Sequence, residues 1–295
     1  MRFLDVKTDY AFKRVFGSAT SVDILISFLN ALLEYTGEQA ITSLVILDPY
    51  QAPVIDGLKA SYVDVKADLA NGKHIIVEMQ VLHFEGFEKR VLYNAAKTYA
   101  QQLESGEDYK LLNPVIGITL TDFVMFRDNP AHVSRFQLIE KQTLATYSGD
   151  IELVFVELPK FTKAEAELST IQDKWLYFLK NARDLTVVPA GLKAELTIMQ
   201  AFDKANKAGM SRVELEEQEK RFDFIRVQRA ALATATKVGL AQGLAQGLAQ
   251  GRDVGRVEGR VEGRVEGRVE GLEIALARLV AAGVPEDKAR MMLGI

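Results

Sequence analysis

The stretch YVDVKADLANGKHIIVEMQ, Tyr62 to Gln80, restricts the fold of this chain more than any other. Two runs of alternating apolar and polar residues flank Asn71-Gly72, the pattern of a β-hairpin with one buried and one wet face. On the first strand Asp64, Lys66 and Asp68 share a face, opposite Val63, Val65, Ala67 and Leu69. On the second, Ile76, Glu78 and Gln80 share a face, opposite Ile75, Val77 and Met79. The turn decides whether the acids meet. A two-residue Asn71-Gly72 turn pairs Ala70 with Lys73 and sets Asp64 opposite Met79, splitting the acids between faces. A three-residue loop, Ala70-Asn71-Gly72 with Gly72 left-handed, pairs Leu69 with Lys73 and hence Asp64 with Glu78. The second register predicts a site and the first forbids one.

Two carboxylates meeting in this way, about 5 Å apart at their Cβ atoms, would hold a hard divalent cation, most simply Mg²⁺ with several waters. Such a cation could polarise a phosphate, lower the pKa of a bound water and screen a leaving oxygen, the needs of phosphodiester hydrolysis. The competing reading is an amphipathic hairpin whose Asp64, Lys66 and Glu78 are ordinary surface charges.

The chain has 295 residues and is 48% hydrophobic, enough for a sizeable core. Its formal net charge of −4 argues against a protein that coats nucleic acid indiscriminately, so any DNA contact must be focused. Without cysteine, a metal can be held only by oxygen or imidazole. The opening MRFLDVKTDYAFKRVFG is broken by charges, and no run of about 18 apolar residues occurs. These features predict a soluble cytoplasmic protein with no membrane partner.

Helical spacing of Phe12, Val15, Phe16, Ile24, Leu25, Phe28, Leu29, Leu32 and Leu33 predicts two helices within residues 1–40. ITSLVILDPY (Ile41 to Tyr50) reads as a strand. After the hairpin, FEKRVLYNAAKTYAQQLESG (Phe87 to Gly106) reads as a helix ended by Ser105-Gly106. NPVIGITLTDF is a nearly continuous apolar run that fits a central strand buried on both faces. Further strands are expected at His132 to Glu140 and Ile151 to Leu158. After Pro159 the pattern is helical to about Val238. This order predicts an α/β core over residues 1–158 and a helical extension over 159–238.

From Gly239 to Gly271 glycine returns at every fourth place, GLAQGLAQGLAQGRDVGRVEGRVEGRVEGRVEG. On a helix each step of four advances about 400°, so like residues form stripes that drift by roughly 40° per repeat. A partner following a stripe would wrap right-handedly. Each glycine costs about 1 kcal/mol against alanine, so the isolated helix should be weak. Residues 239–271 are either a rod that pairs copies into a homo-oligomer or a spacer that touches nothing. Residues 272–295 read as helix, turn at Gly283-Val284-Pro285, helix.

Asp64 with Glu78-Met79-Gln80 resembles the motif of the PD-(D/E)xK nuclease superfamily, in the variant carried by the Rpn-type recombination-promoting nucleases and putative transposases. Similar to that family are also DVKTDYAFKRVFG (Asp5 to Gly17), with its Asp-x-x-Phe-Lys segment, and Arg90, Tyr93 and Tyr99 in the helix after the hairpin. EDYKLLNPVIGITLTDF, VELPKFTK and DKWLYFLK add to the likeness, which covers roughly residues 1–180 in detail. The resemblance implies a restriction-endonuclease-like core, a central mixed sheet flanked by helices, and DNA cleavage dependent on Mg²⁺ or Mn²⁺. Carried over by position, Asp64 and Glu78 would bind the metal, with the Met79 carbonyl an extra ligand.

Gln80 stands where the wider superfamily has lysine. Glutamine can orient a water but supplies no positive charge to a transition state. Lys66, on the Asp64 face of its strand, is one source of that charge, and Lys13 or Lys7 near Asp9 are others. Asp9 is either a third acid of the site or a helix-initiating residue after Thr8. Arg90, Lys89 and Lys97 could contact phosphates or form the wet face of their helix. His74, His83 and His132 have no partner at ligand spacing, and Trp175, Tyr177 and Phe178 fit a core better than a base-stacking platform. The leading expectation is a metal-dependent DNA endonuclease linked to recombination or mobile elements. The alternative is a catalytically weak or silent member that acts as a self-associating DNA-binding protein.

Overall fold

A computed structural model describes residues 2–51 and 61–295. The elements run in the order α1 (Asp9–Phe16), α2 (Val22–Leu33), β1 (Leu44–Leu47), β2 (Tyr50–Gln51), β3 (Ser61–Tyr62), β4 (Val65–Leu69), β5 (His74–Gln80) and α3 (Phe87–Ala100). Then follow β6 (Val115–Thr121), β7 (Val133–Ile139), β8 (Thr146–Glu157), α4 (Ile171–Asn181), α5 (Leu196–Ala205), α6 (Arg212–Ala281) and α7 (Glu286–Leu293). By internal packing the chain divides into two compact units, one ending at Val227 and one formed by Gln228–Ile295.

The first unit is built on a mixed sheet in the order β1-β4-β5-β6-β8-β7. β5, β6 and β8 are parallel, and β1, β4 and β7 join antiparallel at the two sides. This is the α/β, restriction-endonuclease-like arrangement expected, a central mixed sheet flanked by helices, with a long C-terminal helix. β6 is buried along its whole length, as its unbroken apolar run predicts. One face of the sheet packs on α1, α2, α4 and α5 through a single aromatic-rich core that contains Phe12, Phe16, Phe28, Trp175 and Phe202. Trp175 is fully buried, edge-on to Phe28 at 5.6 Å, and so belongs to the core rather than to a stacking platform.

The other face is covered by α3. Gly117 of β6 permits the close approach, since a Cβ there would lie 3.2 Å from Leu153 Cδ2 and 3.7 Å from Ala95 Cβ. α3 ends at Ala100, short of the Ser105-Gly106 stop that the sequence suggests. Gln102 is clamped to Asn113 in both directions, at 2.9 and 2.7 Å, which turns the chain toward β6 before the glycine is reached. The strand expected from Ile41 to Tyr50 is split into β1 and β2 around Asp48-Pro49, where proline offers no N–H to a ladder.

α6 runs without a break through the glycine repeat. In the second unit it ends at a left-handed Gly283, with Gly283 N–H donating to Val280 O and Val284 N–H to Leu279 O. α7 follows. Among the described residues no single helix is long and apolar enough to cross a membrane.

Candidate active site

The hairpin closes with the three-residue loop and its Leu69–Lys73 register, but the Asp64–Glu78 cross-strand pair expected from that register does not form. Leu69 N–H donates to Lys73 O at 2.9 Å, and Gly72, at φ +85°, closes the three-residue loop. The ladder then pairs Asp68 with His74, Ala67 with Ile75, Lys66 with Ile76 and Val65 with Val77.

Beyond Val65 the first strand bulges. Asp64 N–H also donates to Val77 O, at 3.1 Å, so Asp64 and Val65 both oppose Val77. The packing agrees, because Val63 joins the α3 side of the sheet while Val65 joins the opposite core, although residues two apart in a regular strand share a face. The bulge turns Asp64 toward α1 and toward β5. Asp64 Oδ2 accepts from Met79 N–H at 2.7 Å, and Oδ1 lies 3.6 Å from Lys13 Nζ. Val63 N–H, which an unbroken ladder would present to the Met79 carbonyl, donates to Pro49 O instead.

Glu78 is 5% exposed and faces α3. Its Oε1 accepts from Asn94 Nδ2 at 2.6 Å and lies 3.5 Å from Arg90 Nη2. Among the described residues Glu78 Oε2 and Asn94 Oδ1 are buried acceptors with no donor. An unsatisfied buried acceptor costs about 1–3 kcal/mol, more when charged. Burial raises the pKa of Glu78, against the opposing pull of the Arg90 charge and the Asn94 amide. Burial likewise pushes Asp64 up to about 7, aided by its hydrogen bond with Asp9 and opposed by Met79 N–H and Lys13. Asp9 moves the other way: burial works against it, but its bonds with Asp64 and with Lys13, 2.7 Å away, hold it below the usual carboxylate value.

Asp9, Asp64, Glu78, Met79 and Gln80 line one cleft of about 280 Å³, together with Lys7, Thr8, Arg90 and Ile225. Lys66 does not line it. The bulge separates Lys66 from Asp64 by face, and Lys13, brought in by the first turns of α1, stands beside the acid instead. Lys7 pairs with Asp122 at 3.2 Å on the cleft rim. The amide nitrogen of Gln80 donates to Leu82 O at 2.8 Å. Lys97 is buried and donates to Gln51 O, so it is not a phosphate contact on a wet face. His74 bonds Asp68 and His83 lies 3.3 Å from Glu88, pairings remote in role from the cleft.

Asn94 was not singled out in the sequence. It follows Arg90 by four residues, so both fall on one face of α3 beside the buried stripe Phe87, Val91, Ala95 and Thr98. A polar pair interrupting such a stripe is the signal that marks it.

Among the described residues no group of three or more Asp, Glu or His side chains is spaced to hold a metal. Of its three acids, Asp9 is engaged by Lys13 and Asp64, so what the cleft offers a metal is the carboxylates of Asp64 and Glu78 and a backbone carbonyl that has lost its ladder partner. That donor set suits Mg²⁺ or Mn²⁺, which take one or two carboxylates and fill the remaining positions with water or phosphate oxygen. The donorless Glu78 Oε2 and the raised carboxyls fit a cation that would compensate both acids.

A family model described as PD-(D/E)XK nuclease family transposase matches residues 6–235. No curated protein and no solved structure matches the chain.

Proposed function

We propose, on the premise that this chain belongs to the PD-(D/E)XK nuclease family transposases, that it is a divalent-metal-dependent DNA endonuclease acting in the cytoplasm on recombining or mobile DNA. The observation that supports this most is the convergence of Asp64 and Glu78 on one cleft, with Glu78 Oε2 buried and lacking a donor among the described residues. Asp64, Glu78 and the Met79 carbonyl would hold Mg²⁺ or Mn²⁺. When bound, the ion would supply Lewis-acid polarisation of the scissile phosphate and a water of lowered pKa.

The remaining roles fall to side chains of this chain. Asn94 and Arg90 both hold Glu78 Oε1, which fixes the carboxylate and leaves Oε2 as its uncommitted oxygen. Lys13 balances the charge of Asp9 and Asp64, at 2.7 and 3.6 Å, and would take the part that lysine plays in the wider superfamily motif. Arg90, at the cleft edge, would meet a backbone phosphate. Gln80 would orient a water through its amide oxygen, its nitrogen being engaged with Leu82 O. The 1–158 segment would carry these groups, with 159–238 as its helical support.

The commitment of the Gln80 nitrogen favours one second reading, a catalytically silent DNA-binding member. Incubation with supercoiled plasmid in Mg²⁺, Mn²⁺ or EDTA separates the two. Nicking that needs metal and drops at least about a hundredfold in Asp64→Ala and Glu78→Ala supports the nuclease. Equal inertness of wild type and both variants favours the silent reading.

A further inference from the structure

Next to the carboxylate cleft lies a second hollow of about 670 Å³ that the cleavage reading leaves unused. The two share Arg90, and Asn94, which holds Glu78, lines the second one. Its walls are aromatic: Tyr62 from β3, Phe84 before α3, and Tyr93 on α3. They are 62%, 40% and 42% exposed, high values for large rings grouped round one cavity. The Tyr62 ring also packs against Tyr50, with centroids 4.9 Å apart, which holds it in place. Lys89 and Arg90 add positive charge on the same wall, with the Arg90 guanidinium 6.0 Å from the centre of the Phe84 ring.

We infer that this hollow takes unpaired nucleotides of the DNA strand whose phosphate lies at Asp64 and Glu78, their bases stacking on Tyr62, Tyr93 and Phe84 and a phosphate meeting Lys89. The inference rests on the nuclease reading of the neighbouring cleft and specifies its substrate, DNA with a single-stranded flap or gap at the cut. Three observations select this occupant. Ring faces stack on any base but are closed to bases paired within a duplex. The two cations match a polyanion rather than an apolar peptide. The shared Arg90 puts the hollow directly beside the carboxylate cleft, within reach of the same strand. The modest net charge of −4 requires focused contacts of this kind.

The test is fluorescence anisotropy with the full chain in EDTA, using a labelled oligothymidylate and a duplex of equal length. Tyr62→Ala with Tyr93→Ala is expected to weaken oligothymidylate binding roughly 5- to 100-fold. Tyr62→Phe with Tyr93→Phe, which keeps the ring faces, is expected to bind as wild type. Tyr147→Ala, an 85% exposed tyrosine on β8 outside the hollow, should also be without effect. Wild-type affinity in the double alanine variant overturns the inference, and so does a loss of equal size in the phenylalanine pair. A protein that binds single strands through these rings but never nicks DNA keeps the hollow and loses the nuclease. One that nicks plasmid while ignoring the loss of both rings keeps the nuclease and loses the hollow.

Discussion

Burial and the hydrogen bond with Asp9 put Asp64 near pH 7, which sets when the cleft can carry its full negative charge. A carboxyl raised from 3.8 to about 7 on folding favours the native state only while protonated. That contribution, at most about 4 kcal/mol, is present below the unfolded pKa and is lost as pH rises through 7. The lowered pKa of Asp9 returns part of it. Asp64→Asn should therefore stabilise the protein at pH 8, by about 1–3 kcal/mol in urea titration, and do little at pH 4. Destabilisation at pH 8 would remove burial as the cause. The same ionisation governs the metal. Added Mn²⁺ should raise the melting temperature more at pH 8 than at pH 6, since only ionised carboxylates bind it, and Glu78→Gln should abolish the rise. Asn94→Ala leaves Glu78 unsupported, and metal affinity is expected to fall 10- to 100-fold by calorimetric titration. An unchanged affinity would leave Asn94 a packing residue.

At the scale of elements, the hairpin loop fixes everything at the far end of the strands. Gly72→Ala would force a left-handed φ on a side chain and place its Cβ 2.6 Å from Asn113 Oδ1. A loss of about 1–3 kcal/mol follows, read as a lower urea midpoint at unchanged m-value. The alternation around Asn71-Gly72 made the hairpin legible in the sequence, and the α/β order followed from the run at Val115–Thr121 and the helices around it. Which loop closes the hairpin was not legible, because both registers satisfy an Asn-Gly turn. The bulge at Asp64 and Val65 leaves no mark on alternation, so the sequence pointed to Lys66 on the Asp64 face while the folded chain puts Lys13 there. Helical spacing marked Trp175 and Phe178 of α4 as core but not the buried face of α5 or the partners of either helix; they complete the core begun by α1 and α2. Asp64, Glu78 and Gln80 were recognisable as a motif. Asn94 became visible as a supporting residue only once α3 was laid over β5.

At the scale of the whole molecule, residues 1–227 hold the cleft and residues 228–295 hold most of a helix that keeps its form despite a glycine in nearly every turn. A methyl group added at Gly255, Gly259, Gly263 or Gly267 would meet no neighbouring atom within 4 Å. Val257, Val261, Val265 and Val269 are more than half exposed along the same segment, between arginines and glutamates of alternating sign. If those valines seat a second copy at close approach, replacing the four glycines by alanine should convert a dimer to a monomer in sedimentation. If the segment is a spacer, the same variant should gain helix stability, about 1 kcal/mol per site, with no change of mass. Because the repeat unit is four residues long and the helix is unbroken, each unit adds about 6 Å of rise. The number of repeats thus acts as a ruler, graduated in steps of one unit, for the distance between Gln228 and the hairpin at Gly283, and gain or loss of a unit would change reach without changing fold.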